Sequence, residues 1–455
     1  MNDFVFYALA FAILLGVLIV VHEFGHYLVA RLCGVKVLRF SVGFGRPIAS
    51  FRSGADRTEW ALGAFPLGGY VKMLDEREGA VPPEELHRSF TRQSVWKRIA
   101  IVSAGPLANF LLAILVYWAV FWQGSEELRP VLGPPIAASA AAAAGVEDGE
   151  RVMSAGGRTV QTWQDLRWML IKQAVSNDEI TLEVINRKNE IAYRRINLAL
   201  ARSNGWEGDG IDKLGLTLHR PTILPVIGTV AASSPAENAG LKQGDRVSEI
   251  DGRPISAWHE VVQSVREAPG KQLIFLIIRD DQEYRLTITP GVREEGGKQF
   301  GRIGAGARDG ADIRQKMMVV VRHDAADAFV RALAETWDKT VFSVEMLGRM
   351  LIGQVSWKNV SGPVSIADYA GQSAKLGLDY YLKFMALVSI SLGVLNLLPV
   401  PILDGGHLLY YVAEIIKGRP LSERSMEFGQ KIGLALMLML MACAFYNDIN
   451  RLLSG

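Results

Sequence analysis

The stretch VVHEFGH, at residues 20–26, places three ionisable side chains directly after an apolar run, since residues 4–21 contain no Asp, Glu, Lys or Arg. An α-helix rises about 1.5 Å per residue, so about 20 residues cross the hydrocarbon core of a membrane. The run therefore predicts a membrane-spanning helix that ends in His22, Glu23 and His26. Ionisable groups inside a membrane are costly, and where they occur they usually have a function.

Three further apolar stretches approach the length of a membrane crossing. The four predicted helices occupy residues 4–29, 99–122, 381–400 and 432–446, and the last is the shortest. Composition agrees with a membrane protein, because 49% of the residues are hydrophobic and the mean hydropathy is +0.17. The formal net charge of +2 gives no sign of a nucleic-acid surface, so no nucleic-acid partner is expected.

Lysine and arginine predict the orientation of these helices, because short loops rich in these two residues lie on the cytoplasmic side. The loops between helices one and two and between helices three and four both carry several basic residues. Both loops are therefore expected on the cytoplasmic side, at the end of the first helix where His26 lies. The long stretch from about residue 124 to 375 is then expected on the opposite side.

This long stretch contains an internal repeat. The sequence from Ser139 matches the sequence from Ser234 at a constant shift of 95 residues, with glycines in register and Trp163 matched to Trp258. A fixed period of this kind indicates two copies of one folding unit. The second copy, with AGLKQGDRVSEIDGRPI at residues 239–255, resembles a PDZ domain of the bacterial type. Such domains bind peptide C-termini or extended peptides at a sheet edge, although two spacer domains without a ligand stay an alternative.

We therefore predict a mixed fold class, a polytopic α-helical membrane protein with four transmembrane helices and two tandem PDZ-like α/β domains in the extracytoplasmic loop. The predicted boundaries are 1–123 for the first two membrane helices with a cytoplasmic β-hairpin loop, 124–220 and 221–310 for the PDZ-like domains, 311–375 for amphipathic linker helices, and 376–455 for the last two membrane helices. In the linker, apolar residues recur every three to four positions between Phe329 and Leu351. This spacing predicts an amphipathic helix that lies on the membrane surface or packs on the PDZ-like pair.

His22 and His26 are four residues apart, so a helix places both imidazoles on one face, where they can bind one metal ion. Imidazole nitrogen suits Zn²⁺, and Glu23 can accept a proton from a metal-activated water. The alternative is a pair of histidines that reach towards the membrane interface, with Glu23 paired to one of them.

A catalytic zinc ion normally has three protein ligands, and Asp404 is the candidate for the third. It lies at the end of the third apolar stretch, in the sequence NLLPVPILDGGH at residues 396–407. His407 and Glu414 are competing candidates that the spacing leaves open. The prolines and the glycine pair predict an interrupted helix, whose freed backbone groups need partners in protein or in a water-filled cavity.

HEFGH on a first membrane helix, together with the pattern NxxPxxxxDG on a later one, resembles the site-two protease family of intramembrane zinc metalloproteases. The resemblance implies that Zn²⁺ is the cofactor and that His22, His26 and Asp404 are its ligands. It also implies that Glu23 is the general base.

The same resemblance implies further substrate contacts. Asn396 and Pro399 would belong to the substrate-facing part of the site. The stretch FPLGGYVKM, at residues 65–73, resembles the family's membrane-entering β-hairpin, whose edge strand holds substrate, while an ordinary exposed hairpin is the alternative. The substrate-binding residues predicted on this strand are Gly68, Gly69, Tyr70, Val71, Lys72 and Met73.

The stretch SAGPLANF, at residues 103–110, matches another motif of the family. Its small residues permit close packing on the first helix, and Asn109 can form a hydrogen bond across that contact. Both roles are predicted to be structural.

The implied activity is hydrolysis of peptide bonds in the transmembrane segments of single-pass membrane proteins of the anti-sigma factor type, together with remnant signal peptides. The implied location is a bacterial inner membrane, in contact with its lipid, with the PDZ-like domains in the periplasm as a substrate filter and the active site towards the cytoplasm. A membrane-anchored PDZ scaffold with a structural zinc is the main alternative, although such a zinc normally has four protein ligands. A metal transporter fits poorly with two PDZ-like repeats and only four crossings.

Overall fold

The computed structural model describes residues 3–206, 210–295, 298–308 and 310–454. Its helices are α1 (Asp3–Leu32), α2 (Val95–Gln123), α3 (Ala140–Ala143), α4 (Trp163–Ser176), α5 (Gly210–Leu214), α6 (Pro235–Asn238), α7 (Trp258–Arg266), α8 (Gly310–Met317), α9 (Ala325–Leu351), α10 (Pro363–Leu376), α11 (Leu378–Leu397), α12 (Asp404–Lys417) and α13 (Glu423–Ser454).

Its strands are β1 (Val37–Ser53), β2 (Thr58–Met73), β3 (Ser125–Leu128), β4 (Arg151–Ala155), β5 (Arg158–Thr159), β6 (Glu179–Ile185), β7 (Ile191–Asn197), β8 (Ile227–Val230), β9 (Arg246–Ile250), β10 (Arg253–Pro254), β11 (Leu273–Arg279), β12 (Gln282–Ile288), β13 (Gly291–Glu295), β14 (Lys298–Arg302), β15 (Ala305–Ala307) and β16 (Met318–Val321). The described chain falls into two compact units, the first with residues 3–125 and 321–454 and the second with most of residues 126–320.

Within the described residues, four helices are long and apolar enough to cross a membrane. They span Phe4–Leu32 in α1, Val95–Gln123 in α2, Leu378–Leu397 in α11 and Arg424–Arg451 in α13. The prediction of four membrane helices is therefore confirmed, and the chain is a membrane protein.

Helix α1 has a defined orientation although its sequence is almost entirely apolar. Leu14, Leu18, His22 and His26 recur at four-residue intervals and are all buried, so one stripe of the helix faces the protein. The other faces carry exposed large apolar side chains, including Leu9, Ile13, Val17, Val20, Phe24 and Leu28. An apolar surface that faces away from the protein suits contact with lipid, and the buried stripe brings both histidines inward.

The third membrane helix ends earlier than its predicted limit of residue 400. Helix α11 ends at Leu397, and Leu398 has an extended backbone with φ −62° and ψ 145°. The residue before a proline avoids the helical region because the ring of Pro399 would clash with it. The predicted interruption of the helix is confirmed, since six residues separate α11 from the start of α12 at Asp404.

The fourth membrane helix is much longer than the predicted 432–446, so those limits are wrong. Helix α13 covers Glu423–Ser454, and Asp448 lies inside it. The carboxylate of Asp448 is buried and accepts hydrogen bonds from the backbone N–H groups of Gly362, Val364 and Ser365, at 3.1, 2.9 and 3.2 Å. Because its charge is satisfied by the first turn of α10, Asp448 does not end the apolar helix.

Strands β1 and β2 fold back on themselves into a small sheet. Residues 39–42 pair with residues 59–62 on one side and with residues 69–72 on the other, and residues 49–53 pair with residues 58–62. Gly68, with φ +111°, takes a backbone conformation that favours glycine just before the segment 69–72. We call residues 69–72 the edge segment, because no further strand of the described chain pairs with its outer side.

The second unit contains two four-stranded antiparallel sheets with the same strand order. The order is β5-β4-β6-β7 in the first sheet and β10-β9-β11-β12 in the second, and α4 and α7 occupy equivalent places in the two segments. The second sheet covers a core that includes Val247, Phe275 and Ile277. This arrangement follows the sequence repeat, while the assignment of both segments to PDZ domains stays a prediction.

Helix α9 corresponds to the predicted amphipathic linker helix. It belongs to the first unit, where Ala328, Ala332 and Thr336 are buried and Ala332 shares an apolar cluster with residues of α2 and α11. The large apolar side chains that defined the pattern are exposed, among them Phe329, Leu333, Trp337, Val341 and Val344. The small residues therefore form the packed face, and the large ones are left for an apolar environment such as lipid.

Candidate functional site

Helices α1 and α2 approach each other closely at the level of the two histidines. A Cβ atom added to Gly105 of α2 would lie 2.7 Å from Cε1 of His26 and 2.9 Å from Cε1 of His22. A Cβ atom added to Gly25 of α1 would lie 2.8 Å from Cβ of Ala108. Real Cβ atoms do not approach other atoms below 3.0 Å, so both positions require glycine. The small residues predicted to allow this close packing lie at the contact.

Three candidate ligand atoms converge between α1 and the start of α12. Nε2 of His22 lies 3.3 Å from Nε2 of His26, and the two nitrogens lie 3.2 and 3.5 Å from Oδ2 of Asp404. Within the described residues this is the one group of three or more such side chains whose ligand atoms lie within 4.8 Å of one another. The structure thus brings together the three residues that the sequence suggested as ligands.

These separations fit a zinc ion. Tetrahedral bonds of about 2.0–2.1 Å place neighbouring ligand atoms about 3.3 Å apart. The tautomer of His26 fits as well, because its Nδ1 lies 2.8 Å from the carbonyl oxygen of Ile101 and donates a proton to it, which leaves the Nε2 lone pair free. Two such lone pairs at 3.3 Å repel each other unless a cation or a proton lies between them. The donor set therefore suits Zn²⁺, with one coordination position left for water or substrate.

The interruption between α11 and α12 positions Asp404. A Cβ atom on Gly405 would overlap backbone atoms of Leu397 and Leu398, and one on Gly406 would lie 2.5 Å from Cα of Pro401. The glycine pair therefore lets the interrupting segment fold over the start of α12, with Asp404 as its first residue. Burial by itself raises the pKa of the Asp404 carboxyl, but the neighbouring imidazoles of His22 and His26 outweigh burial and lower the pKa to about 2.

The two competing ligand candidates, Glu414 and His407, lie outside the cluster of three. Glu414 forms an ion pair with Arg98 of α2, with 2.6 Å between Oε1 and the guanidinium nitrogen. The same guanidinium lies over the ring of Tyr411 at 4.9 Å. His407 faces the same cavity as the candidate ligands but is not part of their cluster, and burial lowers its pKa. Asp404 is therefore a better candidate for the third ligand than His407 or Glu414.

A cavity of about 580 Å³ adjoins the three candidate ligands and Glu23. The edge segment forms part of its wall, and a Cβ atom on Gly69 would lie 2.8 Å from Cγ of Glu23. Among the predicted substrate-binding residues, those that line the cavity are Gly68, Gly69, Tyr70, Val71, Met73 and Asn396. Lys72 lines a separate charged cleft and pairs with Glu78 at 3.1 Å, and Pro399 does not line the cavity either.

Comparison with known proteins agrees with this geometry. The family model of peptidase family M50 matches residues 10–440. The chain belongs to peptidase family M50. The resemblance to site-two proteases is thereby confirmed, and this M50 peptidase is a zinc metalloprotease with Zn²⁺ as its cofactor.

Its relatives match along nearly the whole chain. A protein of Neisseria meningitidis, named as a zinc metalloprotease, is 44% identical over 451 residues, which cover 98% of this chain and 99% of that protein. The regulator of sigma-E protease RseP of Escherichia coli is 41% identical over 457 residues, which cover 99% and 100%. A PDZ domain of an SdrC-like protein of Listeria monocytogenes covers 22% of this chain and 96% of that domain, at 18% identity and a TM-score of 0.17.

Three features of the M50 site are not readable from the sequence motifs. The carbonyl of Ile101 fixes the ring of His26, Gly105 makes room for both imidazoles, and Arg98 binds the competing candidate Glu414. The SAGPLANF motif pointed to close packing in this region, yet it gave no sign of which atoms meet. Backbone carbonyls in particular leave no signal in a sequence.

Proposed function

We propose that the chain is an intramembrane endopeptidase that cleaves transmembrane segments of single-pass membrane proteins. One observation carries the proposal: the three candidate ligands and Glu23 face one cavity at the end of a membrane-spanning helix, bordered by a strand edge that no other strand of the described residues pairs with. The name of the Escherichia coli relative supports a substrate that controls a sigma factor, such as an anti-sigma factor. Remnant signal peptides present the same chemistry, because they are also apolar helical segments.

His22, His26 and Asp404 would hold the zinc ion. When bound, zinc would supply a Lewis acid for the scissile carbonyl and for the attacking water. Glu23 accepts a proton from the attacking water and then gives it to the leaving amine, since its side chain lies on the cavity wall beside the edge segment. Ile101 keeps the proton of His26 on Nδ1 throughout.

The edge segment would bind the substrate as an added strand. A peptide bond inside a helix is hydrogen-bonded and shielded, so a transmembrane substrate must unwind before attack. The outer side of residues 69–72 offers backbone partners for the unwound segment. Gly68, Gly69, Tyr70, Val71, Met73 and Asn396 would then contact substrate, as residues that line the cavity. Lys72 and Pro399 do not line the cavity, and their substrate role stays a prediction from the sequence.

The proposed location is the bacterial inner membrane, with the catalytic site towards the cytoplasm and residues 124–310 in the periplasm as two PDZ-like domains. The basic loops between the membrane helices support this orientation. The two domains would admit substrates already trimmed on their outer side. Deletion of both should allow cleavage of untrimmed substrate, and loss of all cleavage would favour a role in substrate capture instead.

The substitution Glu23→Gln tests the catalytic proposal. It keeps the shape of the side chain and removes the base, so cleavage of a transmembrane substrate in proteoliposomes should fall by about 10²–10⁴-fold. Zinc content should stay at one ion per chain, while His22→Ala should lose both zinc and activity. Undiminished cleavage by Glu23→Gln would refute the role given to Glu23.

A membrane-anchored scaffold with a structural zinc is the second candidate. The three-ligand cluster argues against it, because structural zinc normally has four protein ligands. If the unaltered chain bound one zinc ion yet cleaved no transmembrane substrate, with or without a chelator, the scaffold would be the better description.

A further inference from the structure

Asn109 of α2 is a fully buried polar residue whose side chain touches the metal site. Its exposed fraction is 0%, and Nδ2 of its amide lies 3.1 Å from Nδ1 of His22. The other amide atom, Oδ1, is buried without a hydrogen-bond partner in the described chain. The contact with His22 is therefore the one hydrogen bond recorded for this side chain among the described residues.

The energetics argue against a role in packing alone. A buried amide with one unsatisfied atom loses the hydrogen bond that this atom would make with water, and nothing in the protein replaces it. An apolar side chain of similar shape, such as leucine, would avoid that cost between membrane helices. A polar residue at this position therefore needs another reason, and within the described residues its side-chain hydrogen bond is with a candidate zinc ligand.

The chemistry of His22 supplies that reason. A neutral imidazole that binds metal through Nε2 carries its proton on Nδ1, and this N–H needs an acceptor. His26 has one in the carbonyl oxygen of Ile101, at 2.8 Å. For His22 the neighbour of Nδ1 is the amide of Asn109. Oxygen and nitrogen of an amide have nearly the same shape, so its orientation is assigned from its hydrogen bonds. A half-turn of the amide brings Oδ1 to His22 as the acceptor.

The position of Asn109 is held from a third helix. Its backbone carbonyl accepts a hydrogen bond from Oγ of Ser389 in α11, at 2.8 Å, and both residues are fully buried. Asn109 thus lies where α1, α2 and α11 meet. A side chain fixed in this way can fix the ring of His22 in turn.

We propose that Asn109 is a positioning residue whose amide oxygen accepts the Nδ1 proton of His22 and holds this imidazole in the tautomer that binds metal through Nε2. The proposal rests on the proposed metal site and deepens it. It assigns one acceptor to each histidine, both from α2: a backbone carbonyl to His26 and a side-chain amide to His22.

The test compares zinc affinity of the purified full-length chain and two variants, by competition with a coloured chelator. Asn109→Leu keeps the approximate shape and removes the acceptor, so zinc should bind about 10–100-fold more weakly. Asn109→Asp keeps an acceptor, so affinity should stay at or above that of the parent. Ser391→Ala is the matched control, because it removes an exposed serine hydroxyl of α11 that bonds to the carbonyl oxygen of Leu387, away from Asn109 and His22, and it should leave zinc affinity unchanged.

Visible absorption of the cobalt-substituted chain is the second readout. The Asn109→Asp variant should keep the ligand-field spectrum of the parent, and Asn109→Leu should alter it. Equal zinc affinity of Asn109→Leu and the parent would overturn the proposal, and so would equal weakening by Asn109→Leu and Asn109→Asp. Neither result depends on cleavage, so the proposed endopeptidase activity would stand. A parent chain that bound no zinc would remove the proposed site and this proposal with it.

Discussion

The substitution Gly105→Ala should disable the site through a single methyl group. The added Cβ atom would lie 2.7 Å from Cε1 of His26 and 2.9 Å from Cε1 of His22, and closer still to Nε2 of His26. Ordinary van der Waals contact begins at 3.4 Å, so the ring of His26 must retreat by about 1 Å, or the helices must separate by that amount.

The size of the effect follows from this displacement. Overpacking in a close-packed interior costs about 1–3 kcal/mol. A misplacement of about 1 Å in a catalytic arrangement costs on the order of 100-fold in rate. Because His26 Nε2 is also a candidate ligand, zinc affinity should fall by at least about 10-fold. Alanine is a better helix former than glycine, so helix propensity acts in the opposite direction and cannot cause the loss.

The assay measures cleavage of a transmembrane substrate in proteoliposomes and zinc affinity by chelator competition. Gly16→Ala is the matched control, since it makes the same change on α1 where an added Cβ atom has no neighbour within 4 Å. The control should match the unaltered chain in both measurements. If Gly105→Ala also matched the unaltered chain within about twofold, the described close contact between α2 and the two imidazoles would be refuted.

Two further predictions concern acidic residues. Glu414→Ala should leave zinc content at one ion per chain, because Glu414 is paired with Arg98 at 2.6 Å, whereas Asp404→Ala should lose zinc. Metal analysis of both variants checks this. Loss of zinc from Glu414→Ala would contradict the proposed ligand set. Asp448→Ala removes the carboxylate that accepts hydrogen bonds from the N–H groups at the start of α10, which should lower the free energy of unfolding by about 1–3 kcal/mol. The thermal unfolding midpoint should fall accordingly. An unchanged midpoint would show that this cap contributes little to stability.

Local sequence signals predicted the membrane helices and the shared helix face of the two histidines. A crossing needs only a long apolar run, and two histidines four residues apart share a helix face whatever surrounds them. The limits of α13 were harder to predict, because Asp448 looks like the end of an apolar run. Its charge is satisfied by backbone N–H groups of α10, which lies far away in the sequence. Helix ends that depend on a distant partner leave no local signal.

The sequence by itself determined that two histidines share one helix face and where the chain must leave the helical conformation. His22 and His26 follow from their spacing, and the interruption before Asp404 follows from proline and glycine chemistry. The sequence left His407 and Glu414 open as alternatives to Asp404 for the third ligand. The tertiary structure decided which of the three lies beside the imidazoles, because only packing brings Oδ2 of Asp404 within 3.5 Å of both and pairs Glu414 with Arg98. Distances between residues hundreds of positions apart are set by helix contacts such as that at Gly105, which no local pattern encodes.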